Sequence, residues 1–270
     1  MTAQILTAGI FDQMDVRRIR FLQEASRCGR LTVVLLEDEL VQKLTGAVPK
    51  FPLAERLYFI QNIRYTAEVE TAASLEHLKD IGCRRRPSEW ISPAFEDLSE
   101  FRTAAAGCGA GYRLIDEAAL AGLPQHDYQT TPSSSRKVIV TGCYDWFHTG
   151  HIRFFEEASQ YGDLYVVVGH DKNIELLKGP GHPMFGQEQR AYIVGSIRFV
   201  RQALVSTGSG WLDAEPEIRR LKPDCYIVNE DGDKPIKRRF CQSLGIEYIV
   251  LKRLPKPGLM RRTSTDLRGF

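Results

Sequence analysis

Val138-Ile139-Val140-Thr141-Gly142-Cys143-Tyr144-Asp145-Trp146-Phe147-His148-Thr149-Gly150-His151 decides how this chain folds. A β-branched run, the mark of a buried strand, ends in a glycine turn. Two histidines three residues apart then open a helical pattern through Ile152, Phe155 and Ala158, and Gly162 follows as a stop signal. Strand, turn and helix in this order belong to an open parallel sheet, whose ligands sit beyond the carboxyl ends of the strands. Gly142 lets backbone approach a ligand closely, and the N–H groups at the helix start form an anion site. His148 and His151 can project toward one bound group there and donate hydrogen bonds to phosphate oxygens.

Ile5-Leu6-Thr7-Ala8-Gly9-Ile10-Phe11-Asp12-Gln13-Met14-Asp15-Val16-Arg17-Arg18 is an imperfect copy of that stretch, keeping the glycine and the aspartate but no histidine. The register continues: Ile19-Arg20-Phe21-Leu22 parallels Ile152-Arg153-Phe154-Phe155, and Leu31-Thr32-Val33-Val34 parallels Leu164-Tyr165-Val166-Val167. After one inserted residue, Pro49-Lys50-Phe51 answers Pro183-Met184-Phe185, and Ile63-Arg64-Tyr65 answers Ile197-Arg198-Phe199. Agreement over so long a span marks a duplication. Each copy reads strand, glycine turn, helix, strand, loop, helix, strand. In the second copy the expected strands are Val138–Val140, Leu164–Val168, Cys225–Val228 and Glu247–Leu251. The expected helices are His151–Gln160, Gln187–Arg198 and Lys234–Leu244. Arg84–Ile91 and Tyr112–Ile115 of the first copy match only loosely. The predicted fold is α/β: two tandem Rossmann-like domains, each a parallel sheet flanked by helices. The polar, serine-rich segment before Lys137 reads as a linker, giving domains 1–124 and 137–270 joined by residues 125–136.

Composition narrows the function. A chain of 270 residues, 43% hydrophobic and 26% charged, suits two modest domains, and a net charge of +2 gives no global reason for a nucleic-acid or membrane partner. Basic residues near the C-terminus (Lys234, Lys237, Arg238, Arg239, Lys252, Arg253, Lys256, Arg261, Arg262) read mostly as solvated surface, with a few available to a phosphate-rich ligand. Six scattered cysteines without a C-x-x-C pair argue against a zinc site or a disulfide framework and fit a reducing compartment. Two histidines on one helix could bind zinc, but no third ligand is nearby, and no metal site is expected from side chains. With neither a leader-like start nor an apolar run of about 20 residues, a cytoplasmic protein without a membrane span is expected.

Gly142-Cys143-Tyr144-Asp145-Trp146-Phe147-His148-Thr149-Gly150-His151 resembles the G-x-F-D-x-x-H-x-G-H signature of the cytidylyltransferase-like nucleotidyltransferases, with Tyr144 in place of phenylalanine. The resemblance extends from Val138 to Leu267. Leu176-Leu177-Lys178-Gly179 resembles the family's lysine loop, and Glu188-Gln189-Arg190 its glutamate–arginine stretch, where Arg190 contacts phosphate or pairs with Glu188 or Asp171. Ile227-Val228-Asn229-Glu230-Asp231-Gly232-Asp233 resembles the loop near base and ribose, with Asn229 replacing a glycine. Arg261-Arg262-Thr263-Ser264-Thr265-Asp266-Leu267 resembles the closing R-T-x-G-I-S-T-T motif, one arginine of which takes the family arginine's place.

The resemblance implies transfer of a nucleotidyl group from a nucleoside triphosphate to a phosphorylated or phosphonate-bearing small molecule, with release of pyrophosphate. His148, His151 and Lys178 are then the catalytic residues, the first two on the α-phosphate. The nucleotide-binding set is Gly142, Cys143, Tyr144, Asp145, Gly150, Arg190, Asn229, Asp231, Arg261, Arg262, Thr263, Ser264 and Thr265. Asp145 suits a turn-stabilising or histidine-orienting role better than that of a base. Mg²⁺ is expected with the triphosphate, held mainly by phosphates and water. Ser264-Thr265-Asp266-Leu267 leans toward CTP as donor. An adenylyltransferase using ATP on a sugar phosphate is the alternative, and a non-catalytic nucleotide sensor a third reading. In the first copy Asp15 stands for His148, Arg18 for His151, Arg17 for Gly150 and Thr45 for Lys178. It is expected to be non-catalytic, serving as the partner in an internal pseudo-dimer or, alternatively, as a regulatory anion pocket.

Overall fold

The computed structural model describes residues 2–125, 131–264 and 267, and the chain divides into two compact units, Met1–Gly122 and Leu123–Phe270. The first unit runs β1 (Gln4–Gly9), α1 (Val16–Arg27), β2 (Arg30–Leu36), α2 (Asp38–Thr45), α3 (Leu53–Gln61), β3 (Glu68–Ala72), α4 (Leu75–Arg85), β4 (Glu89–Pro93), α5 (Ser99–Gly107), β5 (Gly111–Ile115) and α6 (Glu117–Leu120). The second runs β6 (Lys137–Gly142), α7 (Thr149–Ala158), β7 (Asp163–Val168), α8 (Asp171–Lys178), α9 (Gln187–Gly195), β8 (Val200–Val205), α10 (Glu215–Leu221), β9 (Cys225–Asn229), α11 (Pro235–Leu244) and β10 (Glu247–Leu251).

Both sheets are parallel, ordered β3-β2-β1-β4-β5 and β10-β9-β6-β7-β8. The copies therefore share one topology, including the weakly matching β4 and β5. Central strands such as β2 and β7 are buried along nearly their whole length, as helices on both faces require. In the second unit the chain steps from β6 outward to β7 and β8, then returns beside β6 as β9. That reversal opens a crevice between the carboxyl ends of β6 and β9. Ile139, Tyr165, Val167, Leu204 and Tyr226 pack with α10 and α11 on one face.

Several boundaries differ from the sequence reading. The expected loop after β7 contains α8, a short helix burying Asn173 and Ile174 and capped by His170. α7 begins at Thr149, because His148 acts as its cap. α9 stops at Gly195, three residues early, since the backbone must straighten to enter β8. Of the linker, residues 126–130 lie outside the described residues. The following residues bond to the second sheet: the Thr131 amide donates to Gln202 Oε1 at 2.8 Å, and the Tyr165 hydroxyl to the Thr131 carbonyl at 2.7 Å. Among the described residues, no helix is long and apolar enough to cross a membrane.

One buried framework recurs in both units. Arg190 is fully buried and donates to the carbonyls of Phe185 (2.8 Å), Cys143 (2.5 Å) and Gly169 (2.7 Å) and to Asp171 Oδ1 (2.7 Å). Arg56 does the same for Phe51 (3.0 Å), Ile10 (2.6 Å), Leu36 (3.0 Å) and Asp38 Oδ1 (2.6 Å). Asp171 and Asp38 are partly exposed, so losing either guanidinium costs mainly the buried carbonyls left without a donor, about 1–3 kcal/mol. Arg56→Met and Arg190→Met are each expected to lower the stability of their own unit by about that amount. Urea unfolding reports each unit separately, through Trp90 in the first and Trp146 and Trp211 in the second. A loss below about 1 kcal/mol would count against the framework role.

Candidate active site

The turn between β6 and α7 is built around an aromatic ring. Tyr144 has φ 55°, in the left-handed region, and Phe11 at the matching place has φ 49°. A Cβ on Gly142 would lie 2.7 Å from the Tyr144 ring, and one on Gly9 would lie 2.7 Å from the Phe11 ring. Glycine is needed there to let the ring fold back over the strand end, whatever ligand approaches. The Tyr144 hydroxyl is buried with no hydrogen-bond partner among the described residues, and burial pushes its pKa up. The ring matters here, which is why phenylalanine serves in the copy. Asp145 is buried, and its carboxylate accepts from the amides of Met184 (2.9 Å) and Phe185 (3.0 Å), as Asp12 accepts from Lys50 and Phe51 at 2.8 Å. It ties the turn to the loop before α9.

His148 caps α7 through its ring. Nδ1 accepts from the Gly150 amide at 3.0 Å, while His151 Nδ1 accepts from the His148 amide at 3.4 Å, closing a reciprocal capping box. The two rings stack with centroids 4.0 Å apart, and Phe147 stacks on His151 at 5.2 Å. With both Nδ1 atoms accepting, the proton of each neutral imidazole is assigned to Nε2. A Cβ on Gly150 would come within 2.8 Å of His148 Cε1, so glycine at this position is part of the cap. Burial first, then His148, Arg253 and Lys178, holds the His151 pKa well below its ordinary value of 6.5. Lys178 is exposed at the end of α8, followed by Gly179 at φ 89°. The Cys143 thiol is pushed up by burial despite Lys178 and Arg190, so it stays protonated and is no nucleophile at neutral pH.

Beside the histidines runs a cleft whose lining includes Gly150, Asn229, Arg261 and Arg262 from the expected set. Arg153, Lys252, Arg253 and Lys256 join them. Arg253 Nη1 donates to Asp231 Oδ2 at 2.5 Å, and Ser264 Oγ to the Trp146 carbonyl at 3.3 Å, which brings the closing motif against the turn. Thr263 precedes Ser264 there, whereas Thr265 lies outside the described residues. Of the roles open to Arg190, pairing with Asp171 is the one seen. The sequence reading left Arg253 among surface cations. The signal for it was its position just past the end of β10, on the same sheet edge as Asn229.

The first unit answers each of these features with its own ion pairs. Asp15 caps α1 by accepting from the Arg18 amide at 2.8 Å and pairs with Arg18 Nη1 at 3.0 Å. Arg18 also pairs with Glu96, and Arg17 lies 3.8 Å over the Phe95 ring and pairs with Glu117.

The cytidylyltransferase-like family model matches residues 139–253. The chain belongs to that family of nucleotidyltransferases, through its second unit. Among curated relatives, the FAD synthase of Pyrococcus horikoshii is 36% identical over 124 residues, which are 44% of this chain and 80% of that protein. The bifunctional protein HldE of Aliarcobacter butzleri is 36% identical over 43% of this chain, and the match spans only 24% of its own length. Among solved structures, the lipopolysaccharide core biosynthesis protein from Thermoplasma volcanium GSS1 is 22% identical, covering 45% of this chain, with a TM-score of 0.39.

A histidine whose folded pKa lies below its unfolded value binds fewer protons when folded. Stability then rises with pH up to about 6.5 and is level above it. Taking the protein from pH 7.5 to 5.5 is expected to cost the second unit up to about 1.4 kcal/mol through His151. Urea unfolding at the two pH values should show this difference, and His151→Gln should remove it. An equal pH dependence in both proteins would contradict the assignment.

Proposed function

We propose that the second unit transfers an adenylyl group from ATP to the phosphate of a small acceptor and releases pyrophosphate. The observation that carries this is the stacked His148–His151 pair at the start of α7, both Nδ1 atoms engaged in the cap, beside a cleft lined by arginine and lysine. The nucleophile in such a reaction is already an anionic oxygen, so no strong base is needed. The barrier lies in bringing anions together and aligning them at the α-phosphorus, which positioning and fixed positive groups lower.

His148 and His151 hold the α-phosphate and the charge that develops on it. A His151 held neutral is a hydrogen-bond donor without a full charge, so Lys178 and Arg253 supply the cationic field. Arg261, Arg262, Thr263 and Ser264 receive the β- and γ-phosphates and the departing pyrophosphate, helped by the amides at the helix start. Among the described residues no three His, Cys, Asp or Glu side chains converge on a metal site. That suits Mg²⁺ held by phosphate oxygens and water. Bound with the triphosphate, it would neutralise phosphate charge.

The closing motif leans toward CTP, whereas FAD carries an adenylyl group on a flavin phosphate, and the FAD synthases are the relatives matched over most of their length. We weigh the relatives more heavily. The first unit is read as non-catalytic, because its helix start is capped by a carboxylate.

A pyrophosphate-release screen pairing each nucleoside triphosphate with a panel of phosphorylated metabolites tests the reading. ATP-dependent release is expected, CTP-specific release would restore the cytidylyl reading, and silence with tight nucleotide binding would favour a sensor. His151→Ala should lower turnover by about 10²-fold or more while the thermal transition persists. Near-normal turnover in that variant would remove the histidine assignment.

A further inference from the structure

The mechanism above leaves one group of polar side chains at the crevice without a role. Thr141 lies on the same face of β6 as Ile139, the face covered by α10 and α11. Its Oγ1 is 2.6 Å from the hydroxyl of the buried Tyr226. Over that ring, 5.7 Å from its centre, stands the ammonium of Lys237 in the first turn of α11. Lys237 is only 9% exposed. Among the described residues no carboxylate lies within ion-pair reach of it, and no acceptor takes a hydrogen bond from it. Burial lowers its pKa, while Asp213 pulls the other way. Asp213 accepts from Ser206 Oγ at 2.7 Å. Nearby, Trp211 is 53% exposed, and Lys234 Nζ lies 5.2 Å from its ring centre.

The stem of Lys237 is buried against the Tyr226 ring while its ammonium is held by no protein acceptor among the described residues, and a cation fixed in this way at a crevice is suited to an anion. Its placement says which. The histidines and the arginine-lined cleft stand on the α7 side of the crevice, and Lys237 stands on the α11 side. In-line displacement brings the incoming oxygen from the side opposite the leaving pyrophosphate. With pyrophosphate assigned to Arg261 and Arg262, the acceptor enters from the wall that carries Lys237. An exposed tryptophan on that wall offers a flat apolar face, on which rings of sugars and heterocycles pack.

We propose that Lys237 and Lys234 bind the phosphate of the acceptor, that Trp211 packs against its ring, and that the acceptor is therefore a phosphorylated ring compound. This rests on the transferase reading for its place in a reaction, but the anion site can be tested without turnover.

Inorganic phosphate, titrated into the intact protein in phosphate-free buffer, should change tryptophan emission. Trp211→Phe should abolish that change, which assigns it to this wall. A charge-assisted hydrogen bond lost at Lys237→Met should weaken phosphate binding about tenfold or more, while Lys237→Arg stays within about threefold. His151→Ala should leave the Trp211 signal in place. Binding by Lys237→Met within about twofold of the parent, a signal that survives in Trp211→Phe, or no response in the parent would each overturn the proposal. Should Lys237→Met not fold, Lys234→Met is read by the same criterion. If the transferase reading alone fails, no pyrophosphate is released with any acceptor although phosphate still binds at Trp211. If transfer is found, Lys237→Met should raise the KM for the acceptor and leave that for the nucleotide unchanged. The reverse pattern would overturn the proposal.

Discussion

The buried guanidinium under the strand–helix turn is the constraint on which the second unit depends. A turn that holds an aromatic residue in the left-handed region carries strain that its surroundings must offset. Arg190 does so by collecting three carbonyls and Asp171 around one planar group, drawing together the Cys143 end of the turn, the end of β7 and the start of α9. Asp145 adds the two amides of the loop before α9. With those bonds in place the turn can present the start of α7 in one geometry, as hydrogen-bond preorganisation requires.

What the turn then presents depends on the cap. Serine or aspartate at a helix start satisfies an amide and ends there. His148 satisfies the Gly150 amide with Nδ1 and keeps a second ring nitrogen for another task, and His151 repeats this one turn on. Capping thus uses one edge of each ring, and the proposed ligand contact uses the other. Asp15 in the first unit caps through a carboxylate, placing a negative charge on the helix dipole where a phosphate would otherwise lie.

Much of this was legible in the chain. The β-branched run, the glycine and the paired histidines indicated a strand, a turn and a helix, and the repeat in register gave two sheets of one kind. What escaped were relations set by tertiary packing. α8 buries too little apolar surface for a periodic signal, so its segment read as a loop. Gly142 suggested close approach of a ligand, but its nearest constraint is the ring of Tyr144. Arg190 and Arg253 look alike as sequence. One is sunk among carbonyls and the other lines the cleft. Cysteine spacing likewise gave no hint that Cys83 and Cys108, both free, lie with sulfurs 3.3 Å apart between α4 and the end of α5.

The two copies separate framework from chemistry better than either does alone. Glycine, aromatic residue, aspartate and buried arginine persist in both, with equivalent partners at similar distances. The groups that face the crevice reverse their character. Aspartate replaces the capping histidine, and Glu117 follows β5 where Lys252 and Arg253 follow β10. Arg17, in the place of Gly150, turns to Glu117, so the first unit pairs its own charges at the positions matching the second unit's helix start. The framework is therefore compatible with opposite charge patterns at the same helix start, which separates what the fold requires from what the proposed chemistry requires.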